Sequence, residues 1–121
     1  MDNIKPALSE IMAASRRLKP ILHHTELDLS STFSRMTGGN IYLKCENRQK
    51  TGSFKIRGAT NKLSAMMERG ERCPVVASSA GNHAQGVACA ASAFGYPYTP
   101  VDMQGKAMLC APLLQASSRL L

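Results

Sequence analysis

The chain has 121 residues, enough for one domain with its own core, and 15 Lys and Arg against 8 Asp and Glu give it a formal net charge of +7. Its hydrophobic content of 44% is too high for a disordered chain, and with 5% aromatics and no Trp, small residues and Met must fill much of the core. The basic residues are densest from Lys44 to Lys62 but lack interleaved aromatics, and no zinc-finger or RNP pattern occurs, so nucleic acid is not the expected partner.

Ile4, Leu8, Ile11, Met12, Ser15 and Leu18 recur at helical spacing. They predict an amphipathic helix with Pro6 in its first turn and Lys19-Pro20 at its end. Residues 21–27 read as irregular. A short helix is expected from Ser30 to Met36, packing Phe33 and Met36 and stopped by Gly38-Gly39. From Asn40 to Glu46 the pattern alternates, with Ile41, Leu43 and Cys45 on the buried side of a strand. Asn47 to Gly52 is a polar loop, and Ser53 can cap the helix that follows. That helix buries Ile56, Ala59, Leu63 and Met66 and ends at Gly70.

Val75 to Ser78 reads as a short buried strand, Gly81 as a turn, and Asn82 to Phe94 as a helix rich in small residues. Val87, Ala91 and Phe94 share one face of it, and Gly95 stops it. Tyr98 to Asp102 is the next strand. Strand, helix, strand at this length is a βαβ unit, which predicts a parallel sheet.

Cysteines stand at 45, 73, 89 and 110 with no CxxC spacing, so they read as small buried hydrophobes in a reducing compartment. No apolar run approaches membrane-spanning length and no secretory h-region opens the chain, which makes the cytoplasm the expected location. Adjacent histidines at 23 and 24 cannot easily converge on one ion, and no metal site is expected.

Two segments carry chemistry. In Ser53-Phe54-Lys55-Ile56-Arg57-Gly58-Ala59 a lysine sits in the first turn of a helix, where the positive end of the dipole favours the amine that attacks a carbonyl. A surface lysine at a helix start is the plain alternative. Ser79-Ala80-Gly81-Asn82-His83 lies where a strand ends and a helix begins, the place where parallel α/β sheets bind ligands and free N–H groups favour carboxylate or phosphate. A simple turn capped by Asn82 is the plain alternative there. Gly81 to Gly86 has P-loop spacing, but Val87-Ala88 replaces the Lys-Ser/Thr that a nucleotide triphosphate needs.

The run Glu46 to Ala59 resembles the cofactor-lysine signature of the serine/threonine dehydratases, and Ser79 to Gly86 resembles their substrate and cofactor loop. The two motifs occur in the family's order and spacing, and the similarity runs from near the N-terminus to about Tyr98. These are fold-type II pyridoxal-phosphate (PLP) enzymes, so the resemblance implies a partial α/β fold of the tryptophan synthase β type, a parallel sheet with flanking helices. It implies an N-terminal segment of the large domain over 1–48, part of the small domain over 49–103, and a divergent tail over 104–121.

The resemblance also implies roles. Lys55 would bond the aldehyde of PLP and later remove the substrate α-proton. Phe54 would pack against the ring, and Asn82 would hydrogen-bond its hydroxyl. Ser79, Ala80, Gly81, Asn82 and His83 would hold the substrate carboxylate. The implied reaction converts L-threonine to 2-oxobutanoate and ammonia, with L-serine to pyruvate beside it, in enzymes that form homo-oligomers. Related serine racemases typically carry a serine where this chain has Ala80, which favours elimination over racemisation.

The family is far longer, and its glycine-rich phosphate loop and pyridine-nitrogen partner lie downstream of the matched region. After Met103 the only glycine is Gly105, and Gln104 to Leu121 does not resemble the family. The expectation is a truncated dehydratase, poorly stable and catalytically weak or dead. A non-catalytic remnant that serves as a small α/β binding protein is the alternative from another class.

Overall fold

In a computed structural model the described residues are 5–101 and 104–105. The expectations for Ile4, Asp102, Met103, Cys110 and the tail from residue 106 onward lie outside them. The element order is α1 (Leu8–Leu18), β1 (Leu27–Leu29), α2 (Ser31–Thr37), β2 (Tyr42–Lys44), a single 3-10 turn at Glu46–Arg48, α3 (Lys55–Glu68), β3 (Val75–Ser78), α4 (Asn82–Phe94) and β4 (Tyr98–Val101).

The second half follows the sequence pattern closely, except that β3, expected to be buried, buries only Ala77. Along α3, Ile56, Ala59, Leu63 and Met66 are all buried, the stripe that the 3.6-residue period predicts. Gly70, at φ +76°, and Gly95, at φ +69°, end α3 and α4 in the left-handed conformation that costs glycine least. Strands β3 and β4 pair in parallel with Val75 opposite Tyr98 and Ser78 opposite Val101. Packed between α3, α4 and β3 is one core of Ala59, Leu63, Met66, Ala77, Val87, Ala90, Ala91 and Tyr96. The Tyr96 hydroxyl reaches the core's rim and donates to the Glu71 carbonyl at 2.7 Å. Each large apolar side chain buried here contributes about 1.5–3 kcal/mol. Val76, pointing to the other side of β3, is 62% exposed.

The first half departs from the reading in four ways. Pro6 precedes the cap residue Ala7, whose N–H is taken by the Glu10 carboxylate at 2.7 Å. The apolar stripe of α1 is not buried among the described residues, and Leu8, Ile11 and Met12 are all more than half exposed. Instead, α1 is tied to α3 by polar bonds from Arg17 to Glu68 (2.9 Å) and Asn61 (3.3 Å). In α2, Ser30 caps the start and Gly38 the end as expected, but Phe33 and Met36 are exposed rather than packed. Periodicity specifies a helix's apolar face, whereas burial needs a partner for that face.

The fourth departure concerns strands. Leu27–Leu29, at the end of a stretch read as irregular, forms β1 and pairs antiparallel with β2, Leu27 opposite Lys44 and Leu29 opposite Tyr42. Three residues are too few for alternation to register. The described residues therefore hold an antiparallel pair and a parallel pair, not one sheet. All of β2 is exposed, while its flanks Ile41 and Cys45 are half-buried.

Leu63→Ala removes the centre of the core stripe and is expected to cost about 2–5 kcal/mol in urea unfolding. Val76→Ala is expected to stay within about 0.5 kcal/mol, because most of its side chain already faces solvent.

Candidate active site

Lys55 is the first residue of α3 and is exposed. The approach to it is built from turns. Gly52 takes φ +67°, and Ser53, buried, accepts the Lys55 N–H at 3.2 Å through its hydroxyl. The cap position belongs to Phe54, so Ser53 acts one residue earlier than the capping pattern predicts. The Lys55 ammonium stands 5.2 Å from the centroid of the Phe54 ring, itself 59% exposed. The Thr51 hydroxyl is buried without a hydrogen-bond partner among the described residues.

The loop is anchored by Gln49, which sequence reasoning missed. Its buried amide accepts from the His23 N–H and donates to the His23 carbonyl, both at 2.9 Å, as a strand neighbour would. His23 is thus held by its backbone, while His24 sits at the surface 3.8 Å from Glu26. The two rings serve different surroundings.

The second motif links β3 to α4. The Ser79 hydroxyl accepts the Gly81 N–H at 3.2 Å, folding the loop on itself. Gly81 takes the cap position and Asn82 begins the helix, which corrects the reading of Asn82 as a cap. No side chain caps α4, so the amides of its first turn are left for other acceptors. Ala80, Gly81, Asn82 and His83 are exposed and Ser79 is half-buried.

Gly86 brings the two motifs together. A Cβ there would stand 3.0 Å from the Ile56 nitrogen, 3.1 Å from the Ile56 Cα and 3.1 Å from the Lys55 carbonyl carbon. Helix α4 therefore rests directly on the backbone that begins α3. Asn82 lies one turn earlier on α4, toward the loop. Gly86 belongs to the quoted motif, but a sequence gives no distance, so its role was not legible there.

A charged cluster adjoins this junction. The Glu46 carboxylate accepts from Arg57 Nε (2.7 Å), Arg57 Nη2 (2.6 Å) and the Thr25 hydroxyl (2.6 Å). Arg57 Nη2 also donates to the Thr25 hydroxyl at 3.2 Å, and Lys44 donates to the Thr25 carbonyl at 2.8 Å. The bidentate guanidinium, helped by the Thr25 hydroxyl and despite the opposing effect of burial, lowers the Glu46 pKa from its ordinary 4.5 to about 2. Farther along α4, burial, against the opposing effect of Lys50, pushes the Cys89 thiol up, away from the reactive thiolate.

The family model described as pyridoxal-phosphate dependent enzyme matches residues 18–107. The L-threonine ammonia-lyase of Thermotoga maritima is 58% identical over 94 residues, 78% of this chain and 23% of that relative. A solved threonine deaminase from T.th. is 43% identical with a TM-score of 0.66, over 77% of this chain and 33% of that one. Maize serine racemase is 33% identical with a TM-score of 0.74, over 95% of this chain and 34% of that one. The chain spans about a quarter of the length of the curated relatives it matches.

Glu46 is a carboxylate in the folded chain down to about pH 2 but protonates near 4.5 when unfolded. Its stabilisation is therefore complete above pH 4.5 and is lost as the pH falls toward 2. With the side chain 15% exposed, that loss is expected to be about 1–2 kcal/mol after solvent screening, and Glu46→Gln should flatten this part of the stability–pH curve. Gly86→Ala is expected to destabilise by about 1–3 kcal/mol, since the opposing atoms are backbone. Gly58→Ala, with nothing within 4 Å and an ordinary helical backbone, should be neutral or stabilise by up to about 1 kcal/mol. Thermal and urea unfolding of the two alanine variants checks both.

Proposed function

As this chain belongs to the pyridoxal-phosphate dependent enzyme family, we propose that it carries the cofactor-lysine segment of a threonine ammonia-lyase, an enzyme that converts L-threonine to 2-oxobutanoate and ammonia and L-serine to pyruvate. The observation that supports this most is the seating of Gly86 on the Lys55–Ile56 backbone. It sets an exposed primary amine at the start of one helix close to the uncapped start of another.

These groups fit the chemistry of PLP. An aldehyde needs an amine, which Lys55 offers, and an aromatic ring needs an apolar face, which exposed Phe54 offers. An anion needs donors, and the first turn of α4 has amides with no side-chain cap. When bound, PLP supplies an aldehyde that bonds amines and a ring that takes up electrons.

In this reading Lys55 would hold the cofactor through its amine and would also be the group that takes the proton from the substrate α-carbon. Asn82 would donate to the ring hydroxyl, and Phe54 would pack against the ring. The residues from Ser79 to His83 hold the substrate carboxylate, largely by backbone N–H. The Ser79 hydroxyl supports that role by bracing the Gly81 amide. Ala80 has no transferable proton, so this position offers no acid to return a proton with inverted configuration on the face opposite Lys55. Elimination is then the outcome rather than racemisation.

The proposal extends to the chain's organisation. Residues 1–48 form the start of a large domain, 49–103 part of a small one, and 104–121 a divergent tail, with homo-oligomers among full-length relatives. Cys45, Cys73 and Cys89 are free thiols, which suits the reducing cytoplasm. No helix among the described residues is long and apolar enough to cross a membrane.

Mixing the purified chain with PLP, reducing with borohydride and mapping the label by mass spectrometry tests this directly. The expected result is label concentrated on Lys55, lost in Lys55→Ala, and resistant to competing free lysine. Label scattered over surface lysines would instead support a non-catalytic α/β binding protein. D-serine forming from L-serine as fast as ammonia is released would overturn the role given to Ala80.

A further inference from the structure

Glu46 joins three parts of the chain on one carboxylate. Thr25 comes from the stretch ahead of β1, Glu46 from the turn after β2, and Arg57 from the first turn of α3. Thr25 is buried, and its hydroxyl gives its proton to Glu46 while accepting from Arg57. Lys44 adds a fourth tie, bonding the Thr25 carbonyl and standing 4.0 Å from Glu46. The guanidinium fork is planar and bound at two points, so it fixes the orientation of the side chain and not merely its distance.

That orientation bears on Lys55. Lys55 and Arg57 are two residues apart at the start of α3, so they leave the helix about 200° apart. Holding Arg57 adds a second restraint, beside buried Ile56, on rotation of the first turn, and rotation is what would swing Lys55 away. Buried Ile56 and the Ser53 hydroxyl hold the turn on its inner side, and little else does. Its cap residue Phe54 makes no side-chain cap bond, and no acidic residue lies in the first turn to offset the dipole. Gly86 limits how far α4 can approach the Lys55–Ile56 backbone, but flat contact does not stop rotation.

We infer that Glu46, acting through Arg57, is a positioning residue for Lys55, setting the direction in which its amine is presented to the start of α4. This rests on the reading of Lys55 as the cofactor lysine. It assigns a purpose to the Glu46–Arg57–Thr25 cluster, which makes no contact with cofactor or substrate in that reading.

The test uses the full 121-residue chain with two substitutions in the clamp and two controls. Glu46→Gln keeps shape and removes charge, and Arg57→Lys keeps charge and removes the fork. Glu68→Gln breaks the ion pair with Arg17 at the other end of α3, and Leu63→Val weakens the core without touching the clamp. Two quantities are read: amide hydrogen exchange at residues 56–58, and the share of borohydride-fixed PLP on Lys55. Both clamp variants are expected to exchange about tenfold faster at those amides and to lose most of the Lys55 share. Both controls are expected to keep them, even where overall stability falls.

Unchanged exchange in Glu46→Gln would overturn the inference whether or not PLP binds. Faster exchange with an undiminished Lys55 share would also overturn it, leaving Glu46 as a stabilising residue alone. A Lys55 share that falls equally in Leu63→Val would do the same. A wild-type chain without selective label would defeat the cofactor reading instead, with Glu46 then judged by exchange.

Discussion

The contact between Gly86 and the Lys55–Ile56 backbone is the constraint on which the rest of the molecule depends. Any Cβ at that position would meet backbone atoms at 3.0–3.1 Å, and backbone inside a helix cannot step aside. The spacing of α3 and α4 follows from it, and so does the composition of α4. Ala84, Ala88, Ala90 and Ala91 are all buried, and Ala90 and Ala91 share the core with Ala59 and Leu63 of α3. Packing between α3 and α4 is the most extensive between any two elements, and the parallel strands β3 and β4 complete the same core. A requirement for close approach thus becomes an alanine-rich sequence, then a tight helix pair, and finally two helix starts held side by side.

Around that core the joints are polar. The β1–β2 pair reaches α3 through Glu46, Thr25 and Arg57, and α1 reaches it through Arg17 and Glu68. These joints differ in strength for a physical reason. Glu46 is mostly shielded and fully supplied with donors, whereas the Glu68 side chain is half exposed, where solvent screens the attraction. The apolar faces of α1, α2 and the outer side of β3 gain little burial among the described residues. Local stability should therefore fall from the α3–α4–β3–β4 core outward to α1 and α2.

This distribution suits a site of the kind proposed. A covalent anchor needs to be held by the rigid part of the fold and yet be reachable, and Lys55 is exposed on a helix whose next residue, Ile56, is fully buried. The loop from Ser79 to His83 is braced in the same way, by Ser79 bonding Gly81 and by the buried Ala84 just inside α4. Each motif thus pairs an exposed working group with a buried neighbour one or two residues along.

By itself the sequence determined the local structure and the chemistry on offer. Periodicity placed α3 and α4 to the residue or nearly so, because a buried stripe leaves its period in the chain, and Pro74 and the Gly81 turn bounded β3. Gly38, Gly70 and Gly95 marked helix ends because only glycine takes the left-handed conformation cheaply. The two motifs named Lys55 and Ser79 to His83 as the groups able to meet an aldehyde and an anion. Tertiary structure alone decided what those elements touch. Nothing in the spacing of Glu46 and Arg57 shows that they meet, or that Thr25, so much earlier, lies between them. Nor does periodicity show that α1 and α2 leave their apolar faces uncovered, or that three residues after Glu26 form a strand. Period and turn chemistry are properties of neighbours along the chain. Distances, partners and burial arise only when segments far apart in sequence compete for the same space.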